Sequence, residues 1–282
     1  MITPSASTLG APGIPLDVIL TWLQQHRIHG IELRLTAGEI ADPHMGIPAR
    51  DDLRRRIDAA GVQVTAIASY VKVAAPGPDE AVLAELIQAI DFARDLGAPM
   101  VRVFPGADIR PAAFTEVPPL VESRAEVDER AARRLSAVTS YAAGLGVLPV
   151  LETHDSHPTG KDVARILNRV DGPVGVVWDV LHPWRVGEAL DETWKTLAPW
   201  LTTGRGCVQI KDADMPASST PVPIGEGSLP TEEFGQLLVR NGYRGPVTLE
   251  WEKAWYPQAA QLDVALGSVR TWLDRHWEKD IN

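Results

Sequence analysis

The 282-residue sequence predicts an α/β fold, a single-domain (β/α)8 TIM barrel over residues 1–282. Short runs rich in Val, Ile and Leu alternate with helix-patterned segments eight times along the chain. No compositional break or linker-like stretch divides that alternation. No GxGxxG follows any strand-like run, which disfavours an open dinucleotide-binding sheet.

In chain order, Ile2–Thr8 reads as the first strand. Pro15–His26 follows as a helix, with Leu16, Ile19, Leu20 and Leu23 on one face. Gly30–Arg34 is a short strand whose Ile31 and Leu33 face one way while Glu32 and Arg34 face the other. Pro48–Ala60 is a helix ended by Gly61, and Val62–Tyr70 is a strand. Asp79–Leu96 is a helix stopped at Gly97, and Met100–Phe104 a strand. A proline-bearing connection runs from Pro105 to about Val121 before the amphipathic helix Glu122–Gly144. Strands are then expected at Val147–Glu152, Val174–Asp179, Cys207–Lys211 and Pro246–Glu250. The helices between and after them are Lys161–Arg169, Asp191–Leu201, Thr231–Asn241 and Gln258–Trp277. A second long loop, 212–230, follows a strand as the first does. In a barrel both lie on the C-terminal face, where long loops serve as lids or binding loops.

Composition narrows the partners. Hydrophobic residues at 45% and charged residues at 23% suit a globular protein with a large core. A net charge of −10 argues against a nucleic-acid backbone or an anionic membrane surface as partner. Cys207 is the single cysteine, so no internal disulfide forms and a reducing compartment fits. The first residues, MITPSASTLG, lack a basic leader pattern, and no apolar run is long enough to span a bilayer. A cytoplasmic, soluble protein is the expectation.

The chemistry concentrates at strand ends. Val174–Pro183 runs apolar into Asp179, a costly burial unless the carboxylate is paired, holds a metal or caps the next turn. Three neighbouring strands behave alike: one ends on Glu152, one carries Gln209 and one ends on Glu250. Each polar residue is in phase with inward-facing neighbours, Val150 before Glu152, Val177 before Asp179 and Thr248 before Glu250. Adjacent strands lie about 4.8 Å apart, so the four side chains converge on one side of the barrel mouth. Three carboxylates gathered there repel unless a cation lies between them. The inference is one divalent metal held by Glu152, Asp179, Gln209 and Glu250. An all-oxygen set favours Mg²⁺ or Mn²⁺ over Zn²⁺. The competing explanation is that each residue separately bonds a neighbouring loop.

The motifs GIELR (30–34), LETHD (151–155), WDVLHP (178–183), QIKDAD (209–214), PIGEGSLP (223–230) and VTLEWE (247–252) carry a resemblance. They are similar to those of the sugar phosphate isomerase/epimerase family, the xylose isomerase-like barrels, over essentially the whole chain. The resemblance implies a metal on Glu152, Asp179, position 209 and Glu250. Gln209 is a departure, because the family pattern HxKD has histidine there; some relatives, including dehydratases of cyclic keto-polyols, carry Gln. It also implies proton abstraction next to a carbonyl, with an ion-stabilised enediolate, and Glu152 and Glu250 as the proton-transfer groups. A small sugar or keto-polyol would be the substrate, and since relatives commonly pair, a homodimer is compatible with it.

Other candidates rest on position. His182, in the DxxH turn, resembles the family histidine that touches substrate oxygens. Lys211 shares the inward phase of Gln209, and either acts in catalysis or pairs with Asp212 to orient the site. His154 has the parity of Glu152 and reaches the mouth. Arg185 suits a substrate hydroxyl, carboxylate or phosphate, or a surface salt bridge. Glu32, Arg34 and Arg102 are inward across the barrel, as substrate contacts or as a buried ion pair with one another. Trp178, Trp184, Trp251 and Trp255 cluster by sequence around the strand ends that carry Asp179 and Glu250. Flat surface there suits a sugar ring face or a dimer contact, but the outward parity of Trp178 and Trp251 favours packing under helices for those two.

Four functions compete. A metal-dependent isomerase or epimerase of a small sugar or keto-polyol leads. A dehydratase of a cyclic keto-polyol such as an inosose or a 3-dehydroshikimate-like compound comes second, raised by Gln209. A multi-metal endonuclease would need more histidines at the mouth and a basic surface. A non-catalytic ligand-binding barrel is disfavoured by the intact ligand set.

Overall fold

The structure, a computed structural model, describes residues 1–107 and 122–277. Eight parallel strands close into one barrel in sequence order. They are β1 (Thr3–Ser7), β2 (Gly30–Arg34), β3 (Gln63–Lys72), β4 (Met100–Phe104), β5 (Leu148–Glu152), β6 (Gly175–Asp179), β7 (Gly206–Ile210) and β8 (Pro246–Leu249). The helices outside it are α1 (Leu16–Gln25), α2 (Ile47–Ala59), α3 (Asp79–Leu96), α4 (Arg124–Gly144), α5 (Gly160–Leu167), α6 (Leu181–Arg185), α7 (Leu190–Leu201), α8 (Thr231–Arg240) and α9 (Leu262–Trp277).

Element ends follow local chemistry. Helix α4 starts after Ser123, whose hydroxyl accepts from the Glu126 amide while Glu126 returns to the Ser123 amide, a capping box. Thr159 and Asp162 do the same for α5, which sets its start one residue before the expected Lys161. Gly97 ends α3 at φ 69°, a left-handed conformation a side chain would strain. Helix α6 falls where the sequence suggested only a turn. It is a five-residue helix, and Pro183 sits in its first turn, where a missing N–H costs nothing. The expected proline-bearing connection lies, from residue 108 to 121, outside the described residues.

Period-2 alternation sorts the strand residues onto two faces. Outward residues such as Val101, Leu151, Val176, Val208 and Leu249 meet the helices in one continuous core. Trp178 and Trp251 belong to it, as their parity predicts. Trp178 stands edge-on to Phe234 of α8, ring centroids 4.9 Å apart, and the Trp251 indole donates to Ala260 O at 2.9 Å. Inside the barrel a second, smaller cluster stacks Ala66, Met100, Val150, Val177 and Cys207. Those inner residues form the floor beneath the polar mouth. Gly30 keeps β2 close to its neighbours, since a Cβ there would come within 2.7 Å of Thr65 and 2.8 Å of Ser5. No described helix is long and apolar enough to cross a membrane.

Candidate active site

Strand register delivers the four expected side chains to one level. Glu152 pairs with Val177, Asp179 with Gln209, and Gln209 with Thr248, two residues before Glu250. Shared parity turns all four inward at the C-terminal mouth. One oxygen each from Glu152, Asp179 and Glu250 falls within 4.8 Å of the others. Gln209 joins them: its Nε2 donates to Glu250 Oε1 at 3.3 Å and faces both Glu32 oxygens at 3.4 Å. That leaves the amide oxygen of Gln209 turned away from the two carboxylates and without a partner.

Two buried acceptors here make no hydrogen bond, Glu152 Oε1 and Gln209 Oε1, while Asp179 Oδ2 is held by the Lys211 ammonium at 2.8 Å. Orphaned buried acceptors are costly, and two of them beside the Asp179 and Glu250 carboxylates form an all-oxygen set that suits a hard divalent cation. Asp179 divides its work. Its Oδ1 accepts the Leu181 amide at 2.8 Å and starts α6, the turn-capping role; its Oδ2 faces the cluster.

Protein cations already hold part of this charge. Arg102 Nη1 donates to Glu152 Oε2 at 2.8 Å, so its partner is Glu152 and not Glu32, the ion-pair alternative the sequence offered. The reason is strand adjacency: β4 lies beside β5, with Arg102 opposite Val150, whereas β2 is two strands away. Arg34 instead donates to the Tyr70 hydroxyl at 2.7 Å and to Glu39 at 3.1 Å. Lys211 Nζ is 2.8 Å from Asp179 Oδ2 and 2.6 Å from Glu252 Oε1, and it also donates to Glu250 Oε2. It does not pair with Asp212, as one sequence expectation had it. Asp212 accepts the Ala213 and Leu229 amides on Oδ1 and the Gly225 and Gly227 amides on Oδ2. A carboxylate with four backbone donors is fully used, and it folds the 212–230 loop back onto β7.

Burial dominates the electrostatics. It pushes the Glu152 carboxyl upward, against the pull of Arg102 and with added repulsion from Glu250 and Asp179. Glu32 is raised to about 7 by burial ahead of the opposing Arg102 charge. His182 is buried, and desolvation, then the nearby His154 and Lys211, hold it well below the usual histidine range. A neutral ring results, with Nε2 3.4 Å from Asp179 Oδ2 and neither nitrogen hydrogen-bonded. His154 meets it edge-on at 4.3 Å between centroids and lies tilted against Phe104, also at 4.3 Å. Burial lowers His154, but Asp155, Glu152 and Glu250 outweigh it and hold the ring above its ordinary value. Asp155 adopts φ 37° beside it, accepts the Gly106 amide at 2.9 Å and so ties the loop after β4 to the loop after β5.

Arg185 is exposed on α6, and no hydrogen bond or ion pair holds it among the described residues. Trp184 packs half-buried against the outer core. Trp255 stands 53% exposed at the rim, with the Arg34 guanidinium 4.7 Å above its ring and Tyr70 edge-on at 6.5 Å. Sequence reading missed Tyr70, Phe104 and Glu252 as mouth residues. Tyr70 and Phe104 lie near strand ends and could have been flagged by position; Glu252 is past the end of β8, where parity no longer applies. It also missed a second overlapping group, Glu152, His154 and His182, whose ligand atoms lie within 4.8 Å of one another.

A "Putative hydroxypyruvate isomerase" of Streptomyces coelicolor (strain ATCC BAA-471 / A3(2) / M145) is 30% identical over 229 residues, covering 74% of this chain and 76% of that protein. The solved structure of AsbF from Bacillus anthracis, named as a probable 3-DHS dehydratase of petrobactin synthesis, matches at TM-score 0.74 and 18% identity, over 95% of this chain and 98% of that one. The IOLI protein, solved with a bound zinc atom, matches at TM-score 0.77 and 16% identity, over 98% and 99%. The family described as the xylose isomerase-like TIM barrel matches residues 20–274. The chain belongs to the xylose isomerase-like TIM barrel family, and it is an enzyme.

Proposed function

We propose that this enzyme is a divalent-metal-dependent isomerase or epimerase of a small hydroxy-carbonyl compound, a sugar, keto-polyol or short hydroxy-keto acid. The observation that carries the reading is the convergence of buried carboxylate oxygens from Glu152, Asp179 and Glu250 within 4.8 Å of one another, with the Gln209 amide oxygen unpartnered on the strand between Asp179 and Glu250. Those four residues would hold the ion, with Mg²⁺ or Mn²⁺ suited to their oxygens. A bound divalent ion supplies Lewis acidity to adjacent carbonyl and hydroxyl oxygens, which acidifies the C–H between them.

The chain's own groups move the proton. Glu152 and Glu250 approach from β5 and from the end of β8, on either side of Asp179 and Gln209. One carboxylate takes the α-proton and the other returns it, to the opposite face in an epimerase or to the neighbouring carbon in an isomerase. Arg102 orients the Glu152 carboxylate. Neutral His182 donates to or accepts from a substrate oxygen without adding charge. His154, Arg34 and Trp255 offer cationic and flat surface at the rim, suited to a small polar substrate.

A dehydratase is the second reading, favoured by Gln209 and by the likeness to AsbF. In it the second carboxylate protonates a departing hydroxide. Incubation with Mn²⁺ in D₂O separates the two, starting with hydroxypyruvate because of the Streptomyces relative and extending to ketoses and cyclic keto-polyols. Deuterium gained at the α-carbon without other change of formula supports the isomerase or epimerase. Loss of water supports the lyase, and neither event across the panel counts against both.

A further inference from the structure

Lys211 brings its ammonium into the carboxylate group from just past the end of β7. Its three protons meet three carboxylates: Asp179 at 2.8 Å, Glu252 at 2.6 Å, and Glu250. Two of these, Asp179 and Glu250, belong to the set assigned above to the metal. Lysine and ion therefore draw on the same oxygens. The third carboxylate is different in kind: the Glu252 side chain is 20% exposed, against 0% for Asp179 and 7% for Glu250. It lies on the solvent side of the cluster and outside the metal set.

We propose that Lys211 is a tethered counter-cation that competes with the divalent ion for Asp179 and Glu250, and that Glu252 retains the ammonium when the ion takes those oxygens. The proposal rests on the metal reading given above. Its physical basis is charge. The carboxylates of Glu152, Asp179 and Glu250 need a compensating cation to stay buried together, and the lysine provides part of it from within the chain. A divalent ion a few ångströms from that ammonium in a buried site is strongly repelled, so the lysine must shift outward as the ion enters. Its flexible stem allows the shift, and Glu252 supplies a partner at the end of it.

Direct Mn²⁺ titration, following free Mn²⁺ by electron paramagnetic resonance, tests this without any turnover. Lys211→Met is expected to bind Mn²⁺ at least about tenfold more tightly than wild type. Glu252→Gln is expected to bind it several-fold more weakly, because the lysine then stays on Asp179 and Glu250. Equal or weaker binding by Lys211→Met overturns the competition. Should Lys211→Met fail to fold, Glu252→Gln decides alone, and unchanged or tighter binding there overturns it. No uptake by wild type or either variant overturns the metal reading together with the competition, whereas equal uptake by all three overturns the competition only.

Discussion

Arg102 Nη1 and Glu152 Oε2 meet at 2.8 Å across β4 and β5, with side chains 4% and 0% exposed. The pair anchors one carboxylate oxygen and leaves Oε1 free to face the cluster. Removing the guanidinium strands a buried carboxylate beside two others, a loss of about 3–5 kcal/mol. Arg102→Leu is therefore expected to lower stability by that order in urea unfolding. Adding Glu152→Gln should recover part of it, because the uncompensated charge is then gone.

Proton transfer is tested at its two ends. Glu152→Gln and Glu250→Gln each remove a proposed proton-transfer group while keeping shape, and turnover is expected to fall ~10²–10⁴-fold. Solvent-deuterium exchange into substrate reads the same step directly. Loss of less than about tenfold in either variant would rule that residue out as a proton-transfer group.

Gln209 separates the metal's geometry from its identity. If Gln209 is one of the ion's oxygen ligands, as proposed, Gln209→Ala lowers Mn²⁺ affinity measured by calorimetry. Gln209→His replaces amide oxygen by imidazole nitrogen and should keep a metal while shifting preference toward Zn²⁺ and Co²⁺. An unchanged Mn²⁺ affinity in Gln209→Ala would remove this residue from the ligand set.

A pH dependence follows from the interface of α4 with α5. Asp128 accepts from His157 Nε2 at 2.9 Å and from Arg165 Nε at 2.8 Å. Burial opposes its charge, but these two partners outweigh burial and lower the carboxyl to about 2. A folded value below the unfolded one means the contribution is complete above about pH 4 and is lost as pH falls toward 2. The urea midpoints of wild type and Asp128→Asn should differ most at pH 5 and converge between pH 4 and pH 2. A difference that stays constant through that window would show that the charge of Asp128 does not matter.

Much of this molecule was readable before its structure. Strand parity is local: each inward position alternates along the chain whatever surrounds it. That is why Glu152, Asp179, Gln209 and Glu250 could be placed together at the mouth, and Trp178 and Trp251 under the helices. Eight strand-helix alternations without a break implied closure, because parallel strands need both faces covered.

The pairing of those inward groups was a different matter. Lys211 could have met Asp212, its neighbour in sequence, but the loop 212–230 folds back and its amides take that carboxylate. Arg102 faced Glu32 across the barrel on paper, yet adjacent strands gave it Glu152. Glu252 and the contact between His154 and His182 depend on where loops turn after their strands end, and no residue period extends there. Sequence alone determined which strand side chains turn toward the mouth, since alternation is a property of the strand. Tertiary structure alone decided which charge meets which, since that depends on distances between segments far apart along the chain.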